Sequence, residues 1–551
     1  MPEPHASPAP PPRRLLFSAF AASGAAALVY EVVWTRALSL VVGSTTFALS
    51  TMLASFMGGL AVGGWLGGRW ADRSAAPWRV FGFCELGIGL AGVLSIPLIY
   101  ELPGTYIALY RAFHAYPAIF FPFQILLCAV VMLLPTILMG ATFPLVSRSV
   151  TRGIGEVGRS VGRAYSFNNI GAVTGALVAG FLLIPSLGVR GASWTAAGLN
   201  LAVGLLLVLG GRRGARTYVG SLWVVALYAP ALAWSQSVET VPSLVNFYSA
   251  PRFLGVGDAL MFAGRVNDAP ALLSMEESGE GTVSAYRTRS GRFLLQVGGK
   301  VEGTGEGDVA NALLLGFLPA ALRPDAERAL VIGLGAGVTL DATRRTVGEV
   351  HLAEINAGVL RAVERFGEAG ALDGVSVHRN DARNMLLRTS LRFDVITSEP
   401  SYPADGAVGN LFTKEFFAIA ALRLNPEGVM CQWLPYHIMT NDDVSMMVKT
   451  FVSVFPHAQL WKVPRSLDLI LVGSRAPIDV PVEEIRRRVA AFNAGGPSLD
   501  YELSRGPRQL AEVAASPDVL VNTDDLPHLE FRVAHNLLAG DLAALERGAN
   551  R

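Results

Sequence analysis

Charge is scarce in this 551-residue chain. Only 16% of its residues are Asp, Glu, Lys or Arg, against about a quarter in an ordinary soluble protein. With 51% hydrophobic residues and a mean hydropathy of +0.41, that scarcity excludes a disordered, collagen-like or nucleic-acid-coating protein. It indicates a membrane protein, at least in part. Cysteine is scarce as well: Cys84, Cys128 and Cys431 are too few for a disulfide framework or for a cysteine-based zinc or iron–sulfur site. No metal is expected. Lysine is absent from the first 240 residues, and nearly all bases are arginine, which reflects composition rather than function.

The formal net charge of +1 conceals two unlike halves. Residues 1–240 carry 15 Arg and 7 acids, a balance of +8, and residues 241–551 carry −7. The first 12 residues, MPEPHASPAPPP, form a polar, Pro-rich tail. Spanning a bilayer takes about 20 apolar residues. Seven runs qualify, at 15–35, 43–66, 81–100, 118–141, 165–186, 191–210 and 217–234. Arg13 and Arg14 with the first run resemble a signal peptide, but no small-residue cleavage site follows, so the run reads as a retained helix. In the second run Gly59/Gly63 and Gly64/Gly68 recur at four-residue spacing, a pattern that lets helices approach closely. With the N-terminus inside, twelve loop arginines fall on the inner side and three (Arg36, Arg111 and Arg190) on the outer. Seven crossings would leave the C-terminal half outside. If the last run, which contains Pro230, does not cross, that half is inside. Glu31, Glu85 and the pair Asn168–Asn169 are polar groups within spans, either interhelical hydrogen-bonding groups or parts of a transport or ligand path.

The second half reads as α/β. Residues 282–303 alternate as strands do, with a hairpin turn at Ser290-Gly291. A helix is expected from Val309 to Leu318, ending near Pro319. A buried strand, Ala329–Ile332, then runs into Gly333-Leu334-Gly335-Ala336-Gly337 and a helix from Val338. The glycines allow a tight turn and close approach of backbone N–H groups to a ligand, and the helix N-terminus follows. A second strand, Val350–Ala353, ends in Glu354, where a carboxylate can take ribose hydroxyls. This combination points to a nucleoside-bearing cofactor. A third strand, Val375–Val377, precedes Asp381-Ala382, and a fourth, Phe393–Thr397, precedes Ser398-Glu399-Pro400-Ser401-Tyr402-Pro403. Asp381 is suited to accept a hydrogen bond from an adenine amino group. Asp341 reads as a solvated helix residue and His378 as a surface histidine at a strand edge.

These residues carry a resemblance. VIGLGAGVTL, Glu354 in AEIN, Asp381-Ala382, SEPSYP, NLFTKEFF, GVMCQWLPYH and NTDDLPHLEF resemble the spermidine synthase (polyamine aminopropyltransferase) family. With YEVVWTRAL, YSFNNIGAVTGALVAG and GGRWADR in the first half, the whole chain resembles the bacterial fused major-facilitator/spermidine-synthase group. The resemblance implies a multi-pass α-helical membrane domain joined to an α/β Rossmann-like domain of methyltransferase topology with a small N-terminal β-hairpin subdomain. The corresponding boundaries are a tail to 14, a transmembrane domain at 15–235, linker and β subdomain at 236–320, the Rossmann domain at 321–535 and a tail from 536. It implies aminopropyl transfer from decarboxylated S-adenosylmethionine to an amine. Gly333, Gly335, Gly337, Glu354, Asp381 and Ala382 would hold the nucleoside, and Glu399 would accept the amine's proton, as a positioned carboxylate can.

The chain departs from that pattern where the family holds its substrates. An acid of the glycine loop is replaced by Ala336, a second loop Asp by Tyr402, an early Gln by Glu302 and the His of a Tyr-His-Glu run by Ala312. The nucleoside half of the site is therefore expected to be kept and the acceptor half rebuilt, with Glu302, Asp308 and Tyr402 as its substrate residues. The resemblance implies an inner-membrane protein acting on a small polyamine or another amine, with a homodimer expected and nucleic acid not. Donor supply places the soluble domain in the cytoplasm, whereas loop charge with seven crossings places it outside. Two alternatives stay open: an S-adenosylmethionine-dependent methyltransferase, which shares the fold, and a non-catalytic polyamine- or nucleoside-binding transporter or sensor.

Overall fold

The computed structural model describes residues 11–42, 46–113, 117–209, 215–237, 271–278, 280–288, 291–303, 309–405, 408–463, 468–496, 499 and 501–539. The chain divides into two compact units, one of Met1–Gly43 with Phe47–Phe247, the other of Tyr248–Arg551 with Ser44–Thr46.

The first unit is helical: α1 (Arg13–Val42), α2 (Thr46–Arg73), α3 (Pro77–Phe113), α4 (Pro117–Val150), α5 (Val157–Val178), α6 (Ile184–Leu209) and α7 (Ala215–Ser237). Among the described residues, five stretches are long and apolar enough to cross a membrane, which is compatible with a membrane protein. The fifth, Ile154–Leu209, is 56 residues long. It contains α5, a π-helical turn (Ala179–Leu183) and α6, and it kinks at Gly188, whose φ of 70° is outside helical space. The run expected at 165–186 thus passes from α5 into α6 without a break, because the bend comes at Gly188. Helix α7, the run expected at 217–234, is not among the five stretches.

Small residues set how closely these helices pack. Gly59, Gly63 and Gly67 form one buried row on α2. A Cβ on Gly67 would lie 2.5 Å from Ala141 Cα of α4, and Gly59 and Gly63 meet Thr136 and Ile137 in the same way. The Gly64/Gly68 pair does not share this role: Gly68 has nothing within 4 Å of its Cβ position. Gly171 and Gly175 of α5 likewise sit against the Ala21 and Ala25 backbone of α1. Inside the unit, Glu85 is fully buried. It accepts hydrogen bonds from Ser23 Oγ of α1 (2.5 Å) and Asn200 Nδ2 of α6 (2.7 Å), so this carboxyl ties three helices together. Asn168 Nδ2 donates to the Phe20 carbonyl (3.2 Å), whereas Asn169 is exposed rather than a source of buried polarity.

The second unit holds two sheets. Strands β1 (Ala271–Ser278), β2 (Gly281–Arg287), β3 (Phe293–Val297) and β4 (Lys300–Gly303) form an antiparallel meander. Gly291 turns between β2 and β3 with φ 81°, and Gly298-Gly299 turns between β3 and β4 with φ 56° and 76°, the backbone a tight hairpin demands. Ser290 lies outside the described residues. The larger sheet contains β5 (Arg328–Ile332), β6 (Glu349–Ala353), β7 (Val375–His378), β8 (Phe393–Ser398), β9 (Leu424–Leu434), β10 (His457–Lys462), β11 (Leu469–Ser474) and β12 (Glu502–Arg505). Its order is β12-β10-β11-β9-β8-β5-β6-β7. Strands β5 to β9 pair in parallel and β9 to β12 antiparallel. This is a Rossmann-like mixed sheet of the expected methyltransferase type. The inner parallel strands are near-continuous apolar runs because both faces are covered: Ala329–Ile332 and Val350–Ala353 are wholly buried. Helix α8 (Val309–Leu322) continues through Pro319 instead of ending there, and every residue from Asn311 to Leu322 is buried. Burial on all sides outweighs one missing backbone hydrogen bond near the helix end.

Since β5 lies between β6 and β8, chain connections leave it in opposite directions, and the crevice between such strand ends is where ligands bind in sheets of this kind.

The glycine row makes a paired test. Gly67→Ala forces α2 and α4 apart and is expected to cost about 1–3 kcal/mol, as overpacking does, while the neighbouring Gly68→Ala leaves stability unchanged. Thermal unfolding of both variants in detergent checks this; equal midpoints would remove the packing role of the row.

Candidate functional site

The loop after β5 is built on left-handed glycines. Gly333, Gly335 and Gly337 have φ of 85°, 50° and 90°, a conformation costly for any residue with a Cβ. Space is also closed to one. A Cβ on Gly333 would lie 2.6 Å from the Glu399 carbonyl oxygen, and one on Gly335 would lie 2.5 Å from that of Glu302. The loop is therefore clasped between the segment after β8 and strand β4. Helix α9 (Val338–Arg344) leaves directly from Gly337.

Glu354, just past β6, anchors this loop. Its Oε2 accepts from Leu334 N (2.9 Å) and its Oε1 from Asn356 N (2.7 Å). The side chain is buried, and burial raises its pKa above the usual carboxylate range, with the two backbone donors opposing that shift. Each oxygen keeps acceptor capacity, since an ionised carboxylate offers about four lone-pair sites. Asp381 caps helix α10 (Ala382–Arg388): its Oδ1 accepts from Asn384 N at 2.8 Å. Ala382 is buried behind it. Gly333 contacts Glu399, Gly335 contacts Glu302, and Glu354 holds Leu334 of the same loop, while Asp381 stands at the end of the next strand over. His378 lies on edge strand β7 as expected, but its ring stacks on buried His351, with Nε2 2.9 Å from His351 Nδ1.

Glu399 follows β8, and its backbone N–H donates to the Ile332 carbonyl (3.0 Å), joining the two strand ends. Its half-buried carboxylate receives the Thr339 hydroxyl at 2.5 Å; the same hydroxyl is 3.1 Å from the Ala312 carbonyl of α8. Beside it, Ser398 Oγ of β8 and Gln432 Oε1 of β9 stand in register and are buried without a hydrogen-bond partner among the described residues. Orphaned polar atoms at a strand end mark where a polar ligand or water is accommodated.

On the other side of Glu399, Glu302 Oε1 accepts the Ser401 hydroxyl (2.5 Å) and pairs with Lys300 Nζ (3.3 Å). The replacement charge expected from Glu302 is thus already matched by a lysine. Lys300 also lies over the Tyr402 ring, 4.6 Å from its centre, and Trp433 stacks on that ring. Tyr402 Oη meets His437 Nε2 at 3.0 Å, and His437 Nδ1 meets Asp468 Oδ1 at 2.8 Å. Asn311 Nδ2 donates to Asp468 Oδ2 at 3.1 Å. Asp308 lies outside the described residues. Sequence reasoning missed Thr339, Lys300, Asn311, His437 and Asp468. One signal was available for Lys300: it is one of only four lysines in the chain.

The motif NTDDLPHLEF is structural. Buried Asn522 accepts from Leu529 N (3.0 Å) and donates to the Phe412 carbonyl (3.0 Å), and Asp524 accepts from Thr413 and pairs with Arg383. This knot holds the segment after Glu399 against α10.

Sequence comparison with known proteins bears on the same segment. Residues 311–465 match the family described as the spermine/spermidine synthase domain, so the C-terminal part carries a spermidine synthase domain. A polyamine aminopropyltransferase of Mycobacterium tuberculosis is 26% identical over 446 residues, 76% of each chain. That alignment is longer than the stretch after residue 240 and reaches into the helical unit. A polyamine aminopropyltransferase of Bacillus cytotoxicus is 26% identical over 204 residues, covering 35% of this chain and 74% of its own. The crystal structure of spermidine synthase from Thermotoga maritima aligns with 49% of this chain and 89% of its own at 18% identity and a TM-score of 0.36. The domain match and the relatives' names support a transferase.

The clasped glycine gives a direct test of the site's construction. Gly333→Ala is expected to lower stability by about 1–3 kcal/mol through strain at positive φ and to displace the Glu399 segment. Chemical denaturation of the purified chain reads the first effect; an unchanged midpoint would mean the loop is not clasped as described.

Proposed function

We propose that the chain is a membrane-embedded aminopropyltransferase that moves an aminopropyl group from decarboxylated S-adenosylmethionine to an amine. The observation that carries this reading is the left-handed glycine loop held by buried Glu354, with Glu399 at the adjacent strand end, inside the segment that matches the spermine/spermidine synthase domain. The loop and Glu354 suit a nucleoside: N–H groups at a helix N-terminus and a carboxylate with lone pairs to spare for a ribose diol. Asp381 keeps one oxygen outside its helix cap for an exocyclic amino group.

In the proposed reaction an amine nitrogen attacks the aminopropyl carbon bound to the sulfonium. The carbon–sulfur bond breaks with its electrons going to sulfur, and methylthioadenosine leaves. An ammonium has no lone pair to attack with, so its proton must first be taken, and Glu399 is the carboxylate at hand. Thr339 fixes the rotamer of Glu399. Positioning amine and donor on one strand end supplies much of the remaining rate.

The helical unit is proposed to sit in the bilayer. If both arms of Ile154–Leu209 cross and α7 does not, six crossings return the chain to the side of its N-terminus. Twelve loop arginines favour the cytoplasm for that side, where the donor is made. A reporter fused after Trp234 should then report cytoplasm; a periplasmic signal would reject this arrangement.

Turnover is checked by nucleoside product analysis with both donors and a panel of diamines. Methylthioadenosine that appears only with an amine present is expected; S-adenosylhomocysteine instead would mean a methyltransferase, and no product a binding protein. Glu399→Gln is expected to lower kcat by about 10²- to 10⁴-fold while leaving nucleoside affinity intact. Nucleoside affinity should fall as pH falls, because the ionised form of Glu354 accepts the ribose hydroxyls. Burial raises its pKa, so the loss begins at a higher pH than an ordinary glutamate would give. Calorimetric titration with methylthioadenosine across pH 4–8 reads this, and a flat profile would take Glu354 out of the ribose site.

A further inference from the structure

Helix α5 begins in a part of the helical unit where charge is almost all of one sign. The stretches 13–17, 69–81 and 145–163 hold nine arginines and two acids, Asp72 and Glu156. They meet at one end of the unit, where Leu16, Ala71, Trp78, Val150 and Ala164 belong to one buried cluster. Glu156 is paired with Arg13 and lies in the field of Arg152 and Arg159, so one acid stands among three arginines. Arg159 and Arg163 of α5 are exposed. Tryptophans mark the depth of this end. Trp65 and Trp70 of α2 are 61% and 37% exposed, and the Arg69 guanidinium lies 3.5 Å from the Trp65 ring centre. Aromatic and basic side chains together are typical of a bilayer surface.

The charged face of α5 continues into apolar surface. With 3.6 residues per turn, Arg159, Arg163, Ile170 and Leu177 fall within about 40° of one line along the helix. Ile170 and Leu177 are 64% and 54% exposed. The buried residues of this helix, Ser160, Ala164, Gly171 and Gly175, lie on a different face, where the two glycines meet the backbone of α1. The stripe is therefore not used in packing the bundle. Ile170 lies about 10 Å and Leu177 about 20 Å from Arg163 along the axis. A lipid's glycerol and acyl chain cover that range in one leaflet, whose hydrocarbon is about 15 Å deep.

We propose that α5 holds an anionic phospholipid, with Arg159 and Arg163 on its phosphate and Ile170 and Leu177 along an acyl chain. The planar guanidinium can meet a phosphate through two N–H groups at once. The surplus of arginine at this end selects a headgroup with no cation of its own over a zwitterionic one. The assignment rests on the proposed placing of the helical unit in the bilayer and is independent of the transfer reaction.

The test mixes the full-length protein in a nonionic detergent with equal amounts of dioleoyl-phosphatidylglycerol and dioleoyl-phosphatidylcholine and counts the retained lipid by native mass spectrometry. The wild type is expected to retain phosphatidylglycerol about 10-fold over phosphatidylcholine, and Arg159→Gln/Arg163→Gln to bring the ratio near one. Arg159→Lys/Arg163→Lys, which keeps the charge, should hold most of the preference and guards against a variant that merely misfolds. Ile170→Ala/Leu177→Ala should lower retention of both lipids and leave their ratio unchanged. Equal retention of both lipids by the wild type, or an unchanged ratio in the glutamine variant, would overturn the site. So would an equal loss in Arg475→Gln/Arg508→Gln, which removes the same charge from the second unit. Displacement of phosphatidylglycerol by inorganic phosphate would give the arginines to a free anion instead. Retention of neither lipid would take the bilayer placement down with the site.

Discussion

The arrangement of the site depends on one buried carboxylate. Glu354 accepts Leu334 N on one oxygen and Asn356 N on the other, so it joins the glycine loop after β5 to the segment after β6. A carboxylate out of water needs such donors, and without them its burial would cost several kcal/mol. Once the loop is held, Gly333 leaves room for the backbone of Glu399 on one side and Gly335 for that of Glu302 on the other. Strand β4 and the end of β8 can then approach the same loop. The small meander and the large sheet thus share a site because the loop between them has no side chain in the way.

The helical unit solves a similar problem with different means. If the unit lies in lipid, as proposed, burying apolar surface gives no gain between helices, and close packing and polar contacts hold them. The Gly59/Gly63/Gly67 row lets α2 lie against α4, and Glu85 with Ser23 and Asn200 joins α1, α3 and α6. Glu85 is satisfied by its neighbours. That favours the interhelical reading of Glu85 over a path through the unit.

Features written in consecutive residues were legible, and features assembled across the sheet were not. The strands β5 to β8, the glycine turn and the placing of Glu354 and Glu399 at strand ends follow from short patterns of apolar runs, glycines and acids, while the sheet topology was implied by the family resemblance. The limits of helices were less legible: α8 runs past Pro319 because tertiary burial overrides a local signal, and the Gly64/Gly68 spacing matched the packing motif without facing a partner. The acceptor side was hidden for a different reason. Lys300, Tyr402, His437 and Asp468 meet from segments up to 168 positions apart, and no periodicity connects them. Glu302 illustrates the consequence: its type suggested free charge, and its neighbour two residues earlier cancels it.

That cancellation bears on what the site can recognise. A pocket for a diamine gains most from carboxylates with no cation of their own. Here Glu302 is paired with Lys300, and Asp468 is sealed behind His437 and Asn311. Glu399 accepts the Thr339 hydroxyl. An ammonium beside Tyr402 would also share the ring face with the lysine. The two halves of the cleft are therefore built on different principles. The proposed nucleoside side offers the Glu354 carboxylate and backbone N–H groups of the glycine loop. The proposed amine side holds Glu399, the Lys300–Glu302 pair and the Tyr402 ring. In the proposed reaction, an acceptor whose only charge is its reacting amine would place no second ammonium beside Lys300.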